Sequence, residues 1–145
     1  MNKDMRIKNY TTSIPSARTQ YEIEQLLISQ GATMIIKNYR GDGKVEALIF
    51  KYKERGFKLP AQIDKTMALL NDIPTWSNKP RNEREDQAER ISWRVIKDWI
   101  ESQFALIQIG QAEFEQVMLP YMWNGSETLY DRLKQTDFML QKGVD

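Results

Sequence analysis

The chain has 145 residues, with 21 Lys and Arg against 20 Asp and Glu, 41% hydrophobic residues, and neither cysteine nor histidine. Such a length fits one domain with a core that stands without staples, and the two missing residue types exclude disulfides, thiolate nucleophiles, Fe–S clusters, thiolate zinc sites, imidazole bases and His-ligated metals. Charge is divided unevenly: residues 1–62 hold 11 Lys and Arg with 6 Asp and Glu, a net +5, while residues 63–145 hold 10 with 14, a net −4.

Met5 to Ser13 alternates (Met5 and Ile7 against Arg6 and Lys8) and predicts a short strand ended by Pro15. Ser16 then caps a helix carrying Ile23, Leu26 and Leu27, with Gly31 at its C-terminal end. A return strand, Thr33 to Tyr39, leads into Asp42-Gly43, a tight-hairpin signal, and Lys44 to Lys53 pairs back with Val45, Ala47 and Ile49 on one face and Leu48, Phe50 and Tyr52 on the other. A turn at Glu54-Arg55-Gly56 precedes an edge strand Phe57-Lys58-Leu59, closed by Pro60. These four strands predict a small, mostly antiparallel sheet.

Helical spacing takes over afterwards. Ile63, Met67 and Leu70 mark a helix near Ala61 to Asn71, and Thr75 to Asn82, with an isolated Trp76, reads as a linker or mobile loop. The longest helix runs from Glu83 to Ile109 with two apolar stripes, one through Ala88, Ile91, Val95, Trp99 and Leu106, the other through Trp93, Ile96, Ile100, Phe104 and Ile107. A face that wide is buried on two sides, which predicts a homo-oligomer, a dimer, and a large folding cost for Trp99→Ala. Phe114, Val117, Met118, Tyr121 and Met122 mark a further helix stopped by Asn124-Gly125, and Ser126 with Leu129 and Leu133 starts a last short one. The expected fold is α+β: one domain over 1–145, with a sheet-rich part (1–60) holding an N-terminal helix and a helical layer (61–145) built on one long helix.

Two patches carry binding chemistry. The sheet segment supplies Lys37, Arg40, Lys44, Lys51, Lys53, Arg55 and Lys58 with few acids, and Lys51, Lys53 and Arg55 on one hairpin face would track a phosphate backbone, with aromatics for stacking. Lysine that guards an edge strand is the plainer explanation of the same residues. On the long helix Arg90, Trp93, Arg94 and Lys97 share one face, fit to hold a nucleotide or else an ordinary solvated face with Arg94–Asp98 and Lys97–Glu101 pairs. Gly41-Asp42-Gly43-Lys44 is a hairpin turn and not a phosphate loop, because a Walker loop needs Gly at Asn38 and Ser or Thr at Val45. Glu83, Glu85, Asp86 and Glu89 favour a helix dipole, and no spacing of carboxylates marks a metal site. Neither catalytic residues nor a cofactor are expected.

Lys8-Asn9-Tyr10-Thr11-Thr12-Ser13-Ile14-Pro15, Phe57-Lys58-Leu59-Pro60-Ala61, Ala88-Glu89-Arg90 with Trp93 to Trp99, and Leu119-Pro120-Tyr121-Met122 resemble, in the same order, an uncharacterised family of short bacteriophage, prophage and integrative-element proteins. The resemblance covers about residues 8–130 and brings no functional residues with it. It implies expression in the cytoplasm of a bacterial host, where DNA handling and interference with host defence are common tasks. The N-terminus has no signal-peptide core, and no stretch reaches the ~18 apolar residues of a membrane span, so no membrane partner is expected. The expected function is non-catalytic engagement of nucleic acid through the basic sheet surface. Its alternative is an anti-defence role, sequestering a nucleotide signal or blocking a host defence protein.

Overall fold

The computed structural model describes residues 7–139, arranged as an α+β fold with a three-stranded antiparallel sheet and a helical layer. Of the strand expected over 5–13, Met5 and Arg6 lie outside the described residues. The remainder makes two turns, Tyr10 N–H donating to the Ile7 carbonyl at 3.1 Å and Thr12 N–H to the Asn9 carbonyl at 3.0 Å. Asn9 has φ 66°, a left-handed conformation its short polar side chain tolerates, and this breaks the alternation before a ladder can form. No neighbouring strand takes these groups. Instead the buried amide of Gln87 donates to the carbonyls of Tyr10 and Thr12, at 2.9 and 3.0 Å.

Helix α1 spans Ser16–Ser29, with Pro15 in the cap position. Ser16 is therefore the first helical residue rather than the cap, and its hydroxyl is buried without a partner. At the other end Gly31 (φ 109°) and Ala32 donate to the carbonyls of Ile28 and Leu27, a Schellman closure that a left-handed glycine permits.

Strands β1 (Met34–Tyr39), β2 (Val45–Tyr52) and β3 (Arg55–Pro60) follow as a meander. Cross-strand rows Ile35–Phe50–Phe57 and Lys37–Leu48–Leu59 share the inner face, and Ile36–Ile49–Lys58 and Met34–Lys51–Gly56 the outer one. The simple alternation expected for β2 fails at a bulge opposite Asn38 and Tyr39, which lets Val45, Ala47 and Leu48 all be buried while Ile49 is half-buried. The second turn is tighter than expected. Lys53 and Glu54 both take positive φ (47° and 64°), so a two-residue hairpin matches the strand twist and β3 restarts at Arg55. Phe50 and Phe57 stack at 5.2 Å, and Phe114 meets both edge-on at 6.2 and 5.8 Å. This aromatic knot joins the sheet to the helices.

The helical layer comprises α2 (Ile63–Leu70), the one-turn α3 (Pro74–Ser77), α4 (Arg81–Gln108), α5 (Phe114–Met118) with a 3-10 turn Leu119–Tyr121, and α6 (Leu129–Gln135). Where a linker was expected, α3 runs into α4 through Pro80, and Trp76 is half-buried against the core with Lys79 5.0 Å over its ring. Pro120 divides the helix expected over 114–122, since it cannot donate to a continuing ladder. Thr128, not Ser126, caps α6, in a reciprocal pair with Asp131.

Helix α4 packs against α1 and α2 and under the sheet. From its two stripes Ala88, Ile91, Trp93, Ile100 and Phe104 are buried within the single chain, and the Trp93 indole N–H donates to the Val45 carbonyl at 3.2 Å. The wide apolar face that motivated a dimer is thus covered largely by the chain's own elements. Trp99, expected in the core, is only half-buried. Together with Val95 and Ile96 it borders a cleft.

Candidate functional site

The seven sheet cations do not form one stripe. Lys37 lies on the inner-face row and pairs with Glu24 of α1 at 3.7 Å. Arg40 holds Asp42 at 2.6 Å and Asp64 at 3.0 Å, and Lys44 holds Asp86 at 2.6 Å. The Arg40 hydrogen bond, aided by the Lys44 backbone N–H, pulls the Asp42 carboxyl down to about 2, so this hairpin turn is locked by its own ions rather than open to a phosphate. Lys51 lies 3.9 Å from Glu54, and Lys53 lies 3.6 Å from Glu115. The positive-φ turn also moves Arg55 opposite Tyr52, off the face that Lys51 shares with Gly56. Only Arg55 and Lys58 among the seven have no carboxylate within ion-pair distance among the described residues.

The patch on α4 is likewise occupied. Trp93 is fully buried, Arg90 donates to the Gln87 side-chain oxygen at 2.6 and 2.9 Å, and Arg94 and Lys97 converge on Glu22 of α1 at 2.9 and 3.1 Å. Burial alone would raise the Glu22 carboxyl, but hydrogen bonds from Lys97 and Arg94 together bring it below its ordinary value. Lys97 pairs with Glu101 as expected, whereas Asp98 turns to Lys8 and Asn9 instead of Arg94. Arg94 and Lys97 clasp α1 to α4 through Glu22.

What remains open is a cleft of about 720 Å³ between the β3–α2 junction, the middle of α4 and the segment from Pro120 to Lys134. A volume of that size suits a small organic ligand. Four aromatic residues line it: Trp99, Tyr121, Trp123 and Tyr130. Trp99 and Tyr121 meet edge-to-face at 5.6 Å, and the Lys58 ammonium sits 5.8 Å from the Trp123 ring centre. Burial raises the Tyr121 phenol above its ordinary value, so it stays protonated, a neutral donor.

Lys58, Lys65 and Lys134 also line the cleft, and none has a carboxylate within 4.0 Å among the described residues. Its two acids are engaged locally. Asp131 accepts from the Thr128 backbone N–H at 3.4 Å and Glu127 from the Gln135 amide at 2.9 Å. Planar apolar walls with unneutralised ammonium groups suit a planar ligand that carries negative charge. Among the described residues there is no group of three or more Asp and Glu placed to hold a metal ion, and no helix long and apolar enough to cross a membrane.

The sequence reading names Lys58 as a binding residue here, places Trp99 in the core and Tyr121 on a helix, and assigns no binding role to the other lining residues. Trp123 and Tyr130 are assigned to no helical period, and with Tyr121, which reads as part of a helix over 114–122, they flank Pro120, Asn124 and Gly125, an aromatic concentration in a turn-rich segment that was the available signal. Lys65, on α2, and Lys134, on α6, are brought to the cleft by packing alone. Comparison of the chain with protein-family models, with curated proteins and with solved structures finds no match.

Proposed function

We propose that this chain is a non-catalytic binding protein that captures a nucleotide-type ligand, a planar base bearing phosphate, in the aromatic cleft. The observation that carries the reading is the meeting of four aromatic side chains with three lysines, unpaired among the described residues, around one cavity. Base stacking on aromatic rings is worth about 1–3 kcal/mol per base and tolerates any base, and lysine serves phosphate as a point charge. Both carboxylates of the cleft are tied to structural bonds, so binding without turnover is the chemistry at hand. Capture of that kind is what sequestering a nucleotide signal requires. A phage or mobile-element product acting against host defence, the setting implied by the resemblance, fits it.

Engagement of nucleic acid is the second reading, and one observation favours it: Lys58 and Arg55, the two sheet cations without acid partners among the described residues, both line cavities around Trp123. Titration of nucleotides and single strands, followed by tryptophan fluorescence and calorimetry, tests both readings. Saturable quenching by nucleotides that are recovered unchanged is the expected result. Absence of binding at millimolar nucleotide and about 50 mM salt, where phosphate contacts are strong, overturns the proposal.

A further inference from the structure

Trp123 lines two cavities. One is the cleft; the other, of about 330 Å³, is lined by Arg55, Gly56, Arg132 and the Met122–Asn124 segment, and shares Glu127 and Thr128 with the first. The backbone of Trp123 is held where the two meet. Its backbone N–H donates to the Gly56 carbonyl at 2.9 Å, and its own carbonyl lies 3.1 Å from where a Cβ on Gly56 would stand, so a larger residue at 56 would push the Trp123 backbone away by a few tenths of an ångström. Met122 bridges Phe57 and Trp123 bridges Thr128, which pins this segment beside β3.

Arg55, from the start of β3, and Arg132, from α6, reach this second cavity from elements far apart in sequence, and neither has a carboxylate partner among the described residues. A cation near the end of α6 is explained by the helix dipole; the arrival of Arg55 in the same cavity is not. Two guanidinium forks beside a stacking indole are the group that phosphate oxygens match in geometry and charge.

We propose that the second cavity is a phosphate subsite, so that the ligand preferred by this protein contains two phosphodiester-linked nucleotides, with a base on the cleft side of Trp123 and a phosphate held by Arg55 and Arg132. This inference rests on the nucleotide reading of the cleft and adds the size of the ligand. The shared chemistry, a phosphodiester next to a stacked base, belongs to a cyclic dinucleotide and to a single strand alike.

Calorimetry at constant salt with 5′ mononucleotides, linear 5′-phosphorylated dinucleotides of the same bases, cyclic dinucleotides and a single strand of about 12 nucleotides tests it. Dinucleotides are expected to bind about tenfold or more tightly than mononucleotides, and Arg55→Ala with Arg132→Ala to abolish that advantage while mononucleotide affinity stays within about twofold. Thermal melting of the double variant checks that the fold is kept; Arg55→Lys with Arg132→Lys, which keeps the charge and loses the fork, should restore only part of the advantage. An Arg-dependent preference for the cyclic dinucleotide identifies a closed signal molecule, and an Arg-dependent preference for the longer strand identifies single-stranded nucleic acid. Equal affinity for mono- and dinucleotides, or a dinucleotide advantage that survives loss of both arginines, overturns the subsite and leaves the nucleotide reading intact. Failure of every probe to bind overturns both.

Discussion

Two regions of α4 are built from the same residue types and end in opposite states. At the α1–α4 clasp, Arg94 and Lys97 are neutralised by Glu22 and the neighbouring Trp93 is fully buried, its N–H bonded to Val45. Six residues further along the helix, Trp99 is half-buried, and the lysines around it, Lys58, Lys65 and Lys134, have no acid partner among the described residues. The difference lies in what faces each region. An acidic helix covers the first and makes it scaffold, while the second faces a turn-rich segment that supplies more aromatics. Cations beside a tryptophan mean little until their counter-charges are located.

The largest expected effect separates the two tryptophans. Trp93→Ala should cost about 3–5 kcal/mol, as a large fully buried side chain leaves a cavity, and Trp99→Ala about half of that or less. Chemical denaturation of both variants measures this, and equal losses would erase the distinction between clasp and cleft.

Ligand affinity should reverse the ranking of the two regions. Trp99→Ala or Trp123→Ala should weaken nucleotide binding by about 1–3 kcal/mol, whereas Arg94→Ala, whose side chain turns to Glu22 and does not line the cleft, should leave it within about 0.5 kcal/mol of the wild type. A large loss in the Arg94 variant would restore the helix patch as the site.

Salt dependence sharpens the contrast further. For single-strand binding, each of Lys58→Ala, Lys65→Ala and Lys134→Ala should flatten the slope of log K against log salt by about 0.7, and Lys51→Ala with Lys53→Ala, whose partners are Glu54 and Glu115, should leave it unchanged. The opposite pattern would return the interface to the sheet.

Acid sensitivity is the smallest effect. Glu22 titrates below its ordinary value of 4.5 in the folded chain, so its ion pairs stabilise the clasp above that pH and are lost as the pH falls through the lower folded value. Melting temperatures taken from about pH 6 down to about pH 3 should fall less steeply in Glu22→Gln than in the wild type. Parallel profiles would mean that the clasp contributes nothing measurable.

Much of the fold was legible because it is local. The spacing of Ile23 and Leu27, the Asp42-Gly43 hairpin and the apolar rows of α4 are consequences of period and turn chemistry, and they specify an α+β chain without reference to anything distant. The misreadings share a cause. Asn9 and the Lys53-Glu54 turn adopt left-handed backbone that neither sequence pattern announces, and the bulge in β2 shifts faces that alternation treats as fixed.

The candidate site could not be read in the same way. Sequence established which residues carry charge and which are aromatic; it could not pair Lys37 with Glu24, Lys44 with Asp86 or Arg94 with Glu22, contacts between residues 13 to 72 positions apart. Tertiary structure made those pairings, and by neutralising one set of cations it left Lys58, Lys65 and Lys134 around Trp99, Tyr121 and Trp123. The physical reason is that charge acts through space over a few ångströms, whereas the pattern along the chain records only neighbours within a turn of helix or a pair of strands.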